Sequence, residues 1–130
     1  MIVLDTHVWV WWVNDNDRLT PAQHDALRQG ETDGIGVSAI SCWEVAKLVE
    51  IGRLELDRPV LDWLREALRY PGVRLLDLTP EIAVASTAWP GDFHRDPADQ
   101  LIVATARLNG WSLVTSDRAI VDYPHVPTVS

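Results

Sequence analysis

The chain has 130 residues, of which 47% are hydrophobic and 23% charged, and its formal net charge is −8; this length suits one domain spanning 1–130 with a sizeable core, and the composition excludes a disordered chain. The negative charge excludes a protein that grips nucleic acid through a broad basic face, and the single Cys42 excludes a disulfide framework and a multi-cysteine zinc site. Apolar runs are too short for a bilayer and no basic leader opens the chain, so a cytoplasmic location without membrane contact is expected.

Residues 2–4 predict a short buried strand, and THVWVWWVNDND a helix followed by an Asn/Asp-rich turn. LTPAQHDALRQG predicts a helix with Thr20 as N-cap, Pro21 at its first position and Gly30 at its stop. GIGVSAI reads as a second strand feeding the helix SCWEVAKLVEIG, with Gly52 past its end. RLELDRP is a connection before the helix VLDWLREALRY. VRLLDLTP reads as a third strand and EIAVASTAW as a helix cut by Pro90. RDPADQLIVATARLNG is the clearest helix, WSLVTSD a fourth strand behind it, and VPTV a short fifth.

Strands alternating with helices along the whole length imply an α/β fold with a mainly parallel sheet. Ligands collect at the carboxyl ends of such strands, near a topological switch point. Acids stand at several of these places: Asp5 closes the first strand, Glu44 lies in the first turn of a helix, Asp96 and Asp99 open the long helix, and Asp117 closes LVTSD. Parallel strands would bring all of them to one edge. Gathered carboxylates repel and lose hydration, which is costly without a cation. Oxygen-only ligands suit magnesium or manganese, and the lack of a cysteine cluster or helical histidine pair disfavours zinc. The chemistry expected of such a site is metal-assisted attack of water on a phosphodiester.

Each acid also has a plain structural reading. Ser41 and Glu44 fit a capping box, Asp96 and Asp99 an aspartate cap with an acid in the first helical turn, Asp5 a cap of the first helix, and Asp117 a turn. Independent caps need not share one edge of a sheet, however, and a buried strand end is an expensive place for a carboxylate. Around the acids, His94 and Arg95 precede DPAD and are candidates for reaching a phosphate, as are Arg107 and Arg118. Thr6, Thr115 and Ser116 neighbour the acids and are candidates for orienting water or substrate. Of the tryptophans, Trp9 and Trp12 share a helical face and Trp11 lies on another, so one face is left for an interface or for stacking on unpaired bases.

Together VLDTHVWVWW, ISCWEVAKL, HRDPADQLIVATA and LVTSD resemble, in order and approximate spacing, the PIN-domain ribonucleases, and in particular VapC-type toxins of toxin–antitoxin pairs. The resemblance implies a three-layer α/β/α sandwich with a parallel five-stranded sheet. It further implies an endoribonuclease dependent on Mg2+ or Mn2+, acting as the toxin of a type II system and restrained by a VapB-like antitoxin; a homodimer is the expected assembly. Carried onto this chain, the acidic quartet is Asp5, Glu44, Asp99 and Asp117, with Asp96 as second choice for Asp99 and otherwise a cap. Asp5 and Asp99 are then the direct metal ligands, while Glu44 and Asp117 act through water.

Two other classes fit the alternation. A receiver-type phosphoacceptor domain also gathers acids at strand ends, but needs a lysine after a late strand, whereas the sole Lys47 falls inside a predicted helix. A non-catalytic interaction module on the same fold has no need to retain mutually repelling carboxylates.

Overall fold

The computed structural model describes residues 1–91 and 96–130. Its strands are β1 (Ile2–Leu4), β2 (Ile35–Ser38), β3 (Val73–Leu76), β4 (Ser112–Val114) and β5 (Thr128–Val129), and they form one sheet in the order β3-β2-β1-β4-β5 with every pairing parallel. The helices are α1 (Thr6–Val13), α2 (Pro21–Asp33), α3 (Ala39–Glu50), α4 (Val60–Ala67), α5 (Pro80–Ala85), α6 (Pro97–Asn109) and α7 (Arg118–Val121). No helix among the described residues is long and apolar enough to cross a membrane.

Strand alternation divides the core into two layers. Leu4 points to a cluster with Val8, Trp9, Val37 and Trp63, whereas its neighbour Val3 points to one with Ile102, Val103, Leu113 and Ile120. Helices therefore cover both faces of the sheet, the three-layer α/β/α sandwich that the sequence implied. Because β1 pairs with β2 on one side and β4 on the other, the strand order reverses beside β1, which makes its carboxyl end the switch point.

Local differences from the sequence reading have identifiable causes. Gly30 does not stop α2, which continues to Asp33 and ends at Gly34 with φ of 107°. A Cβ on Gly30 would stand 2.6 Å from Ile35 Cγ1, so this glycine serves close packing of helix on strand. Helix α3 begins at Ala39 with Ser38 as its cap, earlier than expected, because the strand's last residue itself caps the helix. Helix α5 stops at Ala85, before Pro90 is reached. The short α7, capped by Asp117, was not anticipated.

Candidate active site at the carboxyl edge of the sheet

Asp5 follows β1 directly and is only 5% exposed. Its backbone N–H continues the ladder to Val114 O at 2.9 Å, fixing the residue against β4. Both carboxylate oxygens are held: Oδ1 accepts from the Thr6 N–H at 2.8 Å and Oδ2 from the Thr115 hydroxyl at 2.7 Å. Burial pushes the Asp5 carboxyl above its ordinary pKa, and the hydrogen bonds from Thr115 and Thr6 oppose the rise without cancelling it. A residue chosen only to cap α1 would avoid that desolvation.

Glu44 lies on the second turn of α3, because the helix starts at Ala39. The alternative reading of Ser41 and Glu44 as a capping box is thereby overturned: Ser41 is buried inside the helix and shares a hydrogen bond with Thr6 Oγ1 at 2.9 Å. The same Thr6 hydroxyl donates to Glu44 Oε1 at 2.6 Å, tying α1 to α3. Burial raises the Glu44 pKa first, and the nearby charges of Asp5 and Asp96 raise it further.

Asp96 is the N-cap of α6, and its Oδ1 accepts from the Asp99 N–H at 3.1 Å. Asp99 is the third residue of the helix, in its first turn. Its pKa is pushed up to about 8 by burial and then by the charges of Asp5, Asp96, Glu44 and Asp117. The acids expected to gather do face one another electrostatically. Among the described residues, however, no three His, Cys, Asp or Glu side chains are drawn close enough to form a ready cage. Asp117 lies past the end of β4 rather than on it, caps α7 through the Ala119 N–H at 2.9 Å, and is held by its own N–H donating to Thr115 Oγ1 at 3.0 Å. Thr115 therefore contacts two of the acids at once.

The remaining candidates divide. Thr6 is at the site; Ser116 is exposed and its hydroxyl accepts from the Gln23 side chain at 2.9 Å. Gln23 is fully buried in α2 and also completes the capping box with Thr20. Sequence reasoning missed its second contact, since a glutamine three residues after a cap signals only the box. His94 and Arg95 fall outside the described residues. Arg107 and Arg118 turn away to other partners: Arg107 donates to His125 O at 3.0 Å and lies over Trp89, and Arg118 pairs with Asp122 at 3.7 Å.

The donor set is all oxygen, half-buried or buried, and charged beyond what its surroundings neutralise. That combination fits a hard divalent cation and does not fit a softer one. Asp5, Asp99, Glu44 and Asp117 are the acids that could hold it.

Comparison with known proteins places the fold and the family. The profile of the PIN domain matches residues 2–126. Ribonuclease VapC22 of Mycobacterium tuberculosis (strain ATCC 25618 / H37Rv) is 41% identical over 124 residues, covering 95% of this chain and 92% of the relative. Among solved structures, a toxin-antitoxin complex from Klebsiella pneumoniae superposes with a TM-score of 0.66 at 17% identity, covering 100% of this chain and 98% of that one. FitAcB from Neisseria gonorrhoeae gives 0.65 at 21% identity, covering 100% and 97%. A family model that matches nearly the whole chain and a relative 41% identical to it show that the chain belongs to the PIN-domain family, among its VapC ribonucleases.

Proposed function

We propose that this protein is a divalent-metal-dependent endoribonuclease that acts as the toxin of a type II toxin–antitoxin pair, with a VapB-like antitoxin as its cognate partner. The observation that carries the chemistry is Asp99, a carboxyl held near pKa 8 by burial and by Asp5, Asp96, Glu44 and Asp117. Such a charge excess is a cost to the metal-free fold and an asset once a cation arrives. Support for RNA as substrate comes from the 41% identity to Ribonuclease VapC22, and support for the pairing from the toxin–antitoxin complexes that share the fold.

In this reading Asp5 and Asp99 would hold Mg2+ or Mn2+, and Glu44 and Asp117 would orient the attacking water. A cation held there would supply a lowered pKa for water and compensation of the negative charge that develops on the phosphate oxygens. Thr115 and Thr6 fix the rotamers of Asp5 and Glu44, so the carboxylates meet substrate already oriented. The attacking water passes a proton to a neighbouring carboxylate as its oxygen forms the new bond to phosphorus, the P–O3′ bond breaks, and the departing 3′ oxygen takes a proton from solvent. The products are a 5′-phosphate and a 3′-hydroxyl.

Purified protein incubated with end-labelled RNA and manganese should give fragments with 5′-phosphate ends, and none in chelator. Asp5→Asn should abolish cleavage while leaving the metal-free fold equally or more stable. A fully folded wild-type protein that cuts no structured or unstructured RNA with manganese refutes the proposal, and uptake of phosphate from a small phosphodonor would revive the receiver alternative.

A further inference from the structure

Beside the acids lies an open groove of about 650 Å3, lined in part by Thr6, Glu44 and Asp96 and, further along, by Trp11, Arg18 and Arg53. His7 and Trp11 also line the adjoining recess that holds Asp5, Ser116 and Asp117, so this pair forms the wall shared by both. The groove is thus continuous with the carboxylate edge and carries its own cations. That matters in a chain of net charge −8, in which two of the expected phosphate contacts, Arg107 and Arg118, are engaged elsewhere.

The two arginines are placed by local structure. After α1 the chain turns back through Asp15, at φ of 53°, and the Arg18 N–H donates to Asn16 Oδ1 at 2.9 Å. This returns the guanidinium to 5.7 Å from the centre of the Trp11 ring. Arg53 follows Gly52, whose φ of 76° ends the turn beyond α3, and its N–H donates to Leu48 O at 2.9 Å. Both side chains are exposed, and among the described residues neither forms an ion pair, although Glu55 lines the same groove. Arg28, Arg58 and Lys47, by contrast, are each paired with a nearby carboxylate. Two guanidinium forks without ion pairs among the described residues, lining one groove that is continuous with the acidic edge, match a polyanion whose reacting phosphate sits at the acids and whose neighbouring phosphates lie along the groove.

We infer that Arg18 and Arg53 are the phosphate contacts of a single RNA strand lying in this groove, with Trp11 as a positioning residue that carries the Arg18 guanidinium. The inference rests on the ribonuclease reading and assigns the residues that hold the strand flanking the scissile bond. A protein segment is the competing occupant.

The test measures binding of a fluorescein-labelled single-stranded RNA of about twelve nucleotides by anisotropy, in chelator so that no strand is cut, over a salt series. Arg18→Gln and Arg53→Gln should each weaken binding about fivefold at low salt and lower the slope of log affinity against log salt by roughly 0.7. Arg53→Lys should keep the slope. Arg74→Gln, on the edge strand β3, should change neither. Trp11→Leu should weaken binding in the presence of Arg18 and have no further effect in Arg18→Gln, a dependence that a general loss of stability does not produce. Unchanged affinity and slope in both glutamine variants, with wild-type RNA binding intact, overturns the inference while leaving the nuclease reading in place. Absence of wild-type RNA binding and of manganese-dependent cleavage would instead remove both.

Discussion

The Thr115 hydroxyl donates to Asp5 Oδ2 at 2.7 Å while accepting the Asp117 N–H at 3.0 Å, so one side chain from the end of β4 fixes two acids from opposite ends of the sequence. Thr115 is fully buried, and Thr115→Val would leave a buried carboxylate oxygen and a backbone N–H without these partners. The expected result is a loss of about 2 kcal/mol in urea unfolding and a roughly tenfold slower single-turnover cleavage. Thr115→Ser keeps the hydroxyl and should retain most of the activity. A valine variant as active as wild type would show that Asp5 needs no orienting partner.

Asp99 gives the metal-free protein an unusual pH dependence. Its folded-state pKa of about 8 lies above the ordinary 3.8, so the folded state binds the proton more tightly than the unfolded state. Stability from this group is present below the unfolded pKa and is lost as pH rises through about 8, the reverse of a salt-bridged aspartate. For a half-buried carboxyl, screening by solvent reduces the effect to about 2 kcal/mol. In chelator, wild type should therefore lose stability between about pH 5 and pH 8 relative to Asp99→Asn. Because cation binding expels the Asp99 proton, the gain in melting temperature on adding magnesium should be greater near pH 8 than near pH 6. Parallel pH profiles for the two proteins would exclude Asp99 as the source.

Much of this site was legible in the sequence, for a physical reason. A parallel sheet with alternating helices sends the end of each strand to the same edge, so Asp5 and Asp117, from distant segments, had to approach one another once the alternation was read. The order β3-β2-β1-β4-β5 then makes β1 the centre and Asp5 its most buried acid. Glu44 was placed on the right helix in the wrong turn, since Ser38 and Ser41 are both competent caps and only the length of β2 decides between them. The cooperation of Thr6, Ser41 and Glu44 was invisible, because no local pattern signals a hydrogen bond between hydroxyls separated by an entire βα unit. Arg18 and Arg53 were missed for a similar reason: what distinguishes them from the paired arginines is a shared groove, which sequence spacing does not encode.

Gly30 poses a contest between helix propensity and packing. Within α2, alanine should be favoured over glycine by about 1 kcal/mol. The new Cβ would meet Ile35 Cγ1 at 2.6 Å and Ile2 Cδ1 at 3.2 Å, and Ile35 is fully buried and branched at Cβ, with little room to yield. The Gly30 carbonyl is also closely approached by Gly72, where a Cβ would stand 2.6 Å from it, so α2 cannot simply back away without disturbing the turn before β3. Overpacking of this kind costs about 1–3 kcal/mol and should win. Gly30→Ala is therefore expected to lower the melting temperature with little effect on the cleavage rate per folded molecule. A stabilised variant would show that α2 shifts freely on the sheet.

Asp96 and Asp99 sit on the same turn and should respond to mutation in opposite ways. Asp96 is exposed and its carboxylate accepts the Asp99 N–H, the ordinary work of an N-cap. Serine does the same, so Asp96→Ser should keep the fold and remain within about threefold of wild-type cleavage, whereas Asp96→Ala should cost about 1 kcal/mol of stability. Asp99 makes the opposite trade. Its charge is a burden to the metal-free fold, so Asp99→Asn should hold or raise the melting temperature in chelator while reducing cleavage by at least about a thousandfold and weakening manganese binding measured by calorimetry. If Asp96→Ser lost manganese affinity and Asp99→Asn did not, the assignment of ligand and cap on α6 would have to be exchanged, and the raised Asp99 carboxyl would then serve as a neutral neighbour of the metal rather than as its ligand.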